Sequence, residues 1–117
     1  MDRFVIAMIA NSLYEEELGK RLGINPHLEY GRKRLNEYLE EERKSDELSA
    51  KIHLHNSNPG KFISYTEIRG EAGKIRQKRL EPYIQEATRI HREKEEQKKK
   101  KLKLLNQNLQ RRKQSNN

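Results

Sequence analysis

Residues 15–34 read EEELGKRLGINPHLEYGRKR and join two helical patterns through a Gly-Ile-Asn-Pro corner. Two leucines four residues apart share one helix face before the corner. Gly23 suits the left-handed residue that ends a helix. Asn25 followed by Pro26 is typical of an N-cap and a first helical position. The stretch therefore predicts that one helix ends at Leu22 and a second begins at Pro26.

The most apolar segment of the chain, residues 3–14, precedes this corner. Its apolar side chains recur at intervals of three and four, a spacing that favours a buried helix over a strand. The helix either runs unbroken to Leu22 or is interrupted at Asn11 and Ser12. After the corner, Leu28, Leu35 and Leu39 recur on one face and predict a helix over 26–50.

Residues 51–63 do not continue the helical spacing of the apolar residues before them. Ile52 and Leu54 alternate with polar residues, which is a short strand signal. A cluster of turn residues follows at 56–60. The segment is therefore either a small β-hairpin or a loop between two helices.

The sequence Ser-Tyr-Thr-Glu that begins at Ser64 is a capping box, so a helix should begin at Tyr65. Gly70 and Gly73 mark either a close helix contact or a break. Pro82 should kink or restart the helix. The predicted fold class is mainly α: a small helical body over 1–90, and a basic, low-complexity C-terminal helix and tail over 91–117.

Composition limits the core and separates the charges. Only 32% of the 117 residues are apolar and 38% are charged, so the core must be thin. The formal net charge is +8. Residues 1–86 hold fifteen residues of each sign, whereas 87–117 hold eleven Lys or Arg and three Glu. Such an asymmetry is typical of an arm that meets a polyanion.

The corner resembles the helix-turn-helix, a DNA-binding pair whose second helix enters the major groove. The resemblance rests on Leu18, Gly19, Leu22, Gly23 and Ile24. The positions that this family usually buries in its second helix hold a glutamate and an arginine here, which leaves a plain helical hairpin as the alternative. The resemblance implies base contacts by residues near the corner and phosphate contacts further along the second helix. The base contacts would be His27, Glu29 and Tyr30, and the phosphate contacts Arg32, Lys33 and Arg34.

Two further basic groups are candidates for phosphate contacts. The first lies on the predicted third helix, with only Glu71 opposing it, and the second lies in the tail. The first consists of Arg69, Lys74, Arg76, Lys78 and Arg79. The second consists of Lys94, Lys98, Lys99, Lys100, Lys101 and Lys103. Three tail leucines spaced by three and four residues, Leu102, Leu105 and Leu109, suit a coiled-coil patch of barely one heptad.

Other chemistry finds little support in the sequence. There is no cysteine, and His53 and His55 lack a third ligand nearby, so no metal site and no cofactor are expected. No phosphate loop, no serine nucleophile motif and no carboxylate pair in an apolar pocket is recognisable. We expect neither an enzyme nor a small-molecule substrate. The apolar N-terminal run is too short to span a membrane, so a cytoplasmic or nuclear location is expected.

The sequence favours a non-enzymatic nucleic-acid-binding accessory protein, with DNA weakly preferred over RNA. Its neutral body would dock and its tail would contact phosphates. The alternative is a helical interaction subunit of a larger assembly, including a ribonucleoprotein. Its exposed stripe, formed by Leu28, Leu35, Leu39 and Ile90, would bind a protein partner. A homodimer is compatible with the helix-turn-helix interpretation.

Overall fold

A computed structural model describes residues 2–115 of the chain as three helices. They are α1 (Arg3–Leu22), α2 (Glu29–Ser57) and α3 (Tyr65–Ser115). No strand occurs within that range. The first residue of the predicted body and the last two of the predicted tail, Met1, Asn116 and Asn117, lie outside the described residues. The predicted mainly α class is confirmed.

Helix α1 is a single helix with caps at both ends. The Asp2 carboxylate accepts from the backbone N–H groups of Phe4 and Val5, at 3.1 and 3.3 Å, which satisfies two donors of the first turn. Gly23 ends the helix in the left-handed conformation (φ 68°), as predicted. Of the two alternatives for this segment, the structure has the unbroken helix.

The corner differs from its prediction in one respect. Helix α2 begins at Glu29 rather than Pro26, and its N-cap is Leu28, which makes no side-chain cap. Asn25 instead accepts from the backbone N–H of His27 at 2.9 Å, which stabilises a separate turn ahead of the helix. Gly31 packs directly on that turn, because a Cβ added there would lie 1.8 Å from the carbonyl oxygen of Asn25.

The strand prediction for residues 51–55 is wrong, and with it the β-hairpin alternative for 51–63. Helix α2 runs on to Ser57, and a loop follows over 58–64, in which Gly60 takes a positive φ of 76°. Ala50 is fully buried and Leu54 is half-buried, four residues apart, so helical spacing describes this segment better than a three-residue alternation.

Helix α3 begins as the capping box predicts. The Ser64 hydroxyl accepts from the backbone N–H of Glu67 at 3.2 Å. The helix is continuous through Gly70, Gly73 and Pro82, so no break or restart occurs. A Cβ at either glycine would meet nothing within 4 Å, so the expected close helix contact is absent at both.

Both α1 and α2 pack antiparallel on α3, and two small clusters form the core. In one, Tyr14 and Leu18 of α1 meet Leu35 of α2 and Leu80 of α3. In the other, Ile6 and Ala10 meet Ala87. Nine apolar residues are buried among the described residues, and four of them are alanines. The core is therefore thin, as the composition predicts, and small side chains let the helices approach closely.

Beyond His91, every described side chain is exposed. We call residues 92–115 the arm. Its first turns, as far as Lys99, lie beside the N-terminal part of α1, and at ~1.5 Å per residue residues 100–115 extend about 24 Å past the body as a lone helix. The whole molecule has extents of 83 × 36 × 18 Å, so it is a thin two-layer body with a long projection.

Candidate nucleic-acid interface

The corner residues expected to read DNA are partly held by α1. The His27 Nε2 atom lies 2.5 Å from the Glu16 carboxylate, in the turn rather than on α2. The Arg32 guanidinium donates to Glu15 at 2.9 Å and to the carbonyl oxygen of Pro26 at 3.1 Å. Both side chains therefore contact carboxylates of α1, while the His27 side chain stays 73% exposed.

Gly19, on which part of the helix-turn-helix resemblance rests, lies against the turn. A Cβ on Gly19 would lie 3.0 Å from the carbonyl oxygen of Ile24 and from Pro26 Cδ. The turn itself therefore makes the close approach at Gly19. Lys33 and Arg34 are exposed on the first turns of α2, and Arg34 pairs with Glu37 at 3.6 Å.

Arg79, one of the predicted phosphate contacts, is instead a structural residue. Its guanidinium donates two parallel bonds to the buried Asp46, at 2.8 and 2.6 Å, and a third to Glu42 at 3.2 Å. The hydrogen bond to Asp46 is the main cause that raises the pKa of Arg79. A phosphate could bind Arg79 only if the buried Asp46 carboxylate were left unpaired, which would cost free energy. This assignment is therefore corrected.

Tyr14 completes the same network. Its hydroxyl donates to Glu42 at 2.5 Å, and its ring packs edge-on against Tyr83 with centroids 5.2 Å apart. Burial, and then the hydrogen bond to Glu42, raise the pKa of Tyr14 above its ordinary range. The network links all three helices at one level of the body.

The rest of the basic group on α3 is exposed but scattered. The Arg69 guanidinium lies over the ring of Tyr65, 5.9 Å from its centroid, and Lys74 pairs with Glu71 at 3.5 Å. Arg76 makes no ion pair within residues 2–115. Arg69 and Arg76 line an open cleft of about 630 Å³ between α2 and α3 that also holds Glu40 and Glu47. The acidic lining makes this cleft a poor site for a phosphate backbone.

The arm carries the densest positive charge. Its six predicted lysines are all exposed, and Lys98 pairs with Glu95 at 3.7 Å. The other five make no ion pair with any described residue. No acidic residue follows Glu96, whereas residues 97–115 contain eight Lys or Arg. The five lysines in question are Lys94, Lys99, Lys100, Lys101 and Lys103.

The stripe predicted to bind a protein partner does not form one surface. Leu35 is fully buried (0% exposed), and Leu39 packs against the same core cluster. Leu28 lies in the turn with 62% of its surface exposed, and Ile90 is half-buried. The helical spacing identified Leu35 and Leu39 correctly as one face, but that face packs against α3 and not against a partner.

Large apolar residues are exposed in the helices of the body and in the loop over 58–64, and a further group of them lies in the arm. Leu102, Leu104, Leu105 and Leu109 are each about half-exposed. The spacing of Leu102, Leu105 and Leu109 was the available signal, and it indicated a coiled-coil patch without showing that the body leaves it uncovered.

Two other kinds of site are missing from the described part of the chain. No group of three or more metal-ligating side chains is found among residues 2–115, and His53 lies 3.8 Å from Glu71. In the same range no helix combines the length and the apolar character needed to cross a membrane. Comparison of the chain with models of protein families, with curated proteins and with solved structures finds no match.

Proposed function

We propose that the chain is a non-enzymatic nucleic-acid-binding accessory protein and that its arm is the contact surface. The observation that carries the proposal is the run from Lys98 to Lys103, which is exposed on α3 where this helix passes the N-terminal end of α1, with no acidic residue after Glu96 in the sequence. Neutralising phosphates with such lysines releases counterions, which is the main source of non-specific affinity.

In contrast to the arm, the body holds several of its arginines in ion pairs. Arg32, Arg43, Arg79 and Arg89 each bond to one or more carboxylates. An arginine that is paired with a carboxylate attracts a polyanion less strongly, because the carboxylate offsets its positive charge. The arm is therefore the better candidate for the contact, and we propose DNA ahead of RNA as the ligand.

A binding assay on the full chain separates the arm from the body. The arm variant replaces Lys99, Lys100, Lys101 and Lys103 with glutamine, which keeps helix propensity while removing four charges. The matched control replaces Lys33, Arg34, Lys74 and Arg76 with glutamine and removes the same number from the corner and from α3. Both are compared with the unaltered chain by mobility shift on random-sequence duplex.

The arm variant should weaken binding at least about tenfold at low salt, and the control by less than about threefold, because only the arm offers clustered unpaired charge. Loss confined to the control variant would place the interface at the corner and on α3, and it would restore the helix-turn-helix interpretation.

One observation supports an alternative function. The arm leucines are exposed and spaced for a helix–helix contact, so a helical interaction subunit of a larger assembly is the alternative. Its contact residues would be those of the arm rather than Leu35 and Leu39.

A further inference from the structure

The free part of the arm carries a row of glutamines on the same side as two of its lysines. Beyond Lys99, α3 leaves the body, and every side chain over 100–114 is exposed. In this segment five polar residues follow one another at intervals of three and four, so at ~100° per residue they lie within one sector of about 80°. We call them the amide face: Lys100, Lys103, Gln107, Gln110 and Gln114.

We propose that the amide face lies in the major groove of duplex DNA, where Gln107 and Gln110 contact the edges of adenines. This inference rests on the proposed function and deepens it, because it names a B-form duplex as the ligand. The lysines of the arm supply affinity through phosphates, and the glutamines supply a preference among bases.

The side-chain chemistry of glutamine suits a base better than a phosphate backbone. Its carboxamide has both N–H donors and a carbonyl acceptor. Adenine presents an N7 acceptor and an N6 donor in the major groove, and one glutamine bonds to both at once. A glutamine has no charge, so on a phosphate it would release no counterion and would add little affinity. Glutamines that continue a cationic face are therefore best explained by base contacts.

The dimensions of the free segment fit the same groove. A helix with its side chains is ~10–12 Å across, and the major groove of B-form DNA is ~12 Å wide. Gln107 and Gln114 are seven residues apart and lie nearly above one another, so ~10.5 Å separates them along the axis. Three base pairs span about 10 Å. Duplex RNA offers no equivalent site, because its major groove is deep and narrow.

Lysines on both flanks complement the two phosphate strands that border the groove. Lys99 and Lys101 are two residues apart, which places them about 160° apart around the helix axis, one on either side of the amide face. Both are exposed. A helix lying on the outside of a single strand would use the lysines of one side only, whereas a helix in the groove contacts both strands.

The test compares two DNA duplexes that differ by one major-groove atom at each adenine. Both are hairpins of about 24 A·T pairs, several times the length of the free segment at ~3.4 Å per pair. In the second, 7-deazaadenine replaces adenine, which removes the N7 acceptor and leaves the base pairing and the phosphates unchanged. Binding of the full chain is measured at several salt concentrations.

The test variant combines Gln107→Ala with Gln110→Ala. Its matched control combines Gln97→Ala with Asn108→Ala, which removes two exposed amides that lie about 100° or more from the centre of the amide face. All four positions are exposed on α3, so neither variant disturbs the core.

The unaltered chain and the control should bind the 7-deazaadenine duplex at least about tenfold more weakly than the adenine duplex, because each glutamine loses one of its two bonds. The test variant should bind the two duplexes within about twofold of each other. The salt slope should be the same in all three proteins, since no cation is changed. An A·U duplex of RNA should bind the unaltered chain at least about tenfold more weakly than the adenine duplex.

Several results would overturn the inference. Equal, salt-dependent binding of the unaltered chain to both DNA duplexes would contradict the base contacts while the proposed function stood. A test variant as sensitive to 7-deazaadenine as the control would show that Gln107 and Gln110 do not make these contacts. Equal affinity for the RNA duplex would contradict the position in the major groove. No binding to any duplex would overturn the proposed function together with this inference.

Discussion

At the scale of single residues, Gly31 shows how local geometry determines the corner. The turn at 23–28 folds back on the first turn of α2, and only the missing side chain of Gly31 lets the Asn25 carbonyl approach. The helix start consequently moves from Pro26 to Glu29. The sequence could not show that the Asn25 carbonyl lies next to Gly31.

Gly31→Ala should destabilise the fold by about 2–3 kcal/mol, because the added methyl group meets backbone atoms that have no alternative position. Gly73→Ala is the matched control. It lies in an open helical position, and it should stabilise by up to about 1 kcal/mol. Urea unfolding of the two variants measures both effects, and equal stabilities would contradict the close contact at Asn25.

Tyr14 should make the stability of the fold sensitive to alkaline pH. Its folded-state pKa is raised above the ordinary value of 10.0, chiefly by burial and by the hydrogen bond to Glu42. The unfolded state therefore loses this proton at lower pH than the folded state. The contribution is fully present below pH 10 and is lost as the pH rises through the folded pKa.

Urea unfolding at pH 8 and pH 10.5 tests this directly. Stability of the unaltered chain should fall more steeply between these values than that of Tyr14→Phe, in which the titrating hydroxyl is gone. The lysines titrate equally in both proteins, so the difference isolates Tyr14. Identical pH dependence would show that the hydroxyl is not buried against Glu42.

At the scale of the helices, the buried ion pair between α2 and α3 sets their register. Arg79 and Asp46 are 33 residues apart in sequence and form two parallel hydrogen bonds. Arg79→Ala should cost about 3 kcal/mol, because it leaves Asp46 buried and unpaired. Arg79→Lys should cost nearly as much, because a lysine cannot make both bonds.

A double-mutant cycle with Asp46→Ala isolates the pair. The two single variants should each be destabilised, and the double variant should be less destabilised than the sum of both, with a coupling of about 1–3 kcal/mol. Additive effects would mean that the pair does not form.

The helices also show that a structural feature is predictable when it depends on contacts between residues close in sequence. Gly23 and Ser64 end and begin helices through contacts within a few residues, so their roles were predictable. The β-hairpin prediction was wrong because the alternation of Ile52 and Leu54 covers too few residues to oppose a helix that continues from Ala50. The partner of Arg79 was unpredictable because it lies on another helix.

At the scale of the whole molecule, the thin body and the projecting arm are the main features. The thin core and the charge asymmetry followed from composition. The sequence could not show which charges were paired, since Arg32, Arg79 and Lys103 are equivalent in a count. Only the packing of α1 and α2 on α3 separates the cations bonded to carboxylates from those exposed on the arm.

Deletion of residues 100–117 should leave the body intact. That segment touches neither core cluster, and the face of α3 that packs on α1 ends before it. The melting temperature by near-ultraviolet circular dichroism should change by less than about 2 °C, which is within ~0.5 kcal/mol for a domain of this size. A large drop would show that the arm folds back on the body.

The measurement that tests the central claim most directly is the salt dependence of binding to random duplex DNA. The logarithm of the binding constant should fall linearly with the logarithm of salt concentration, with a slope near −0.9 for each phosphate contacted, so about −4 for contacts by Lys99, Lys100, Lys101 and Lys103. Replacing Lys99, Lys100 and Lys103 with glutamine should bring the slope to about −1. A slope unchanged by these replacements would contradict the arm as the nucleic-acid contact.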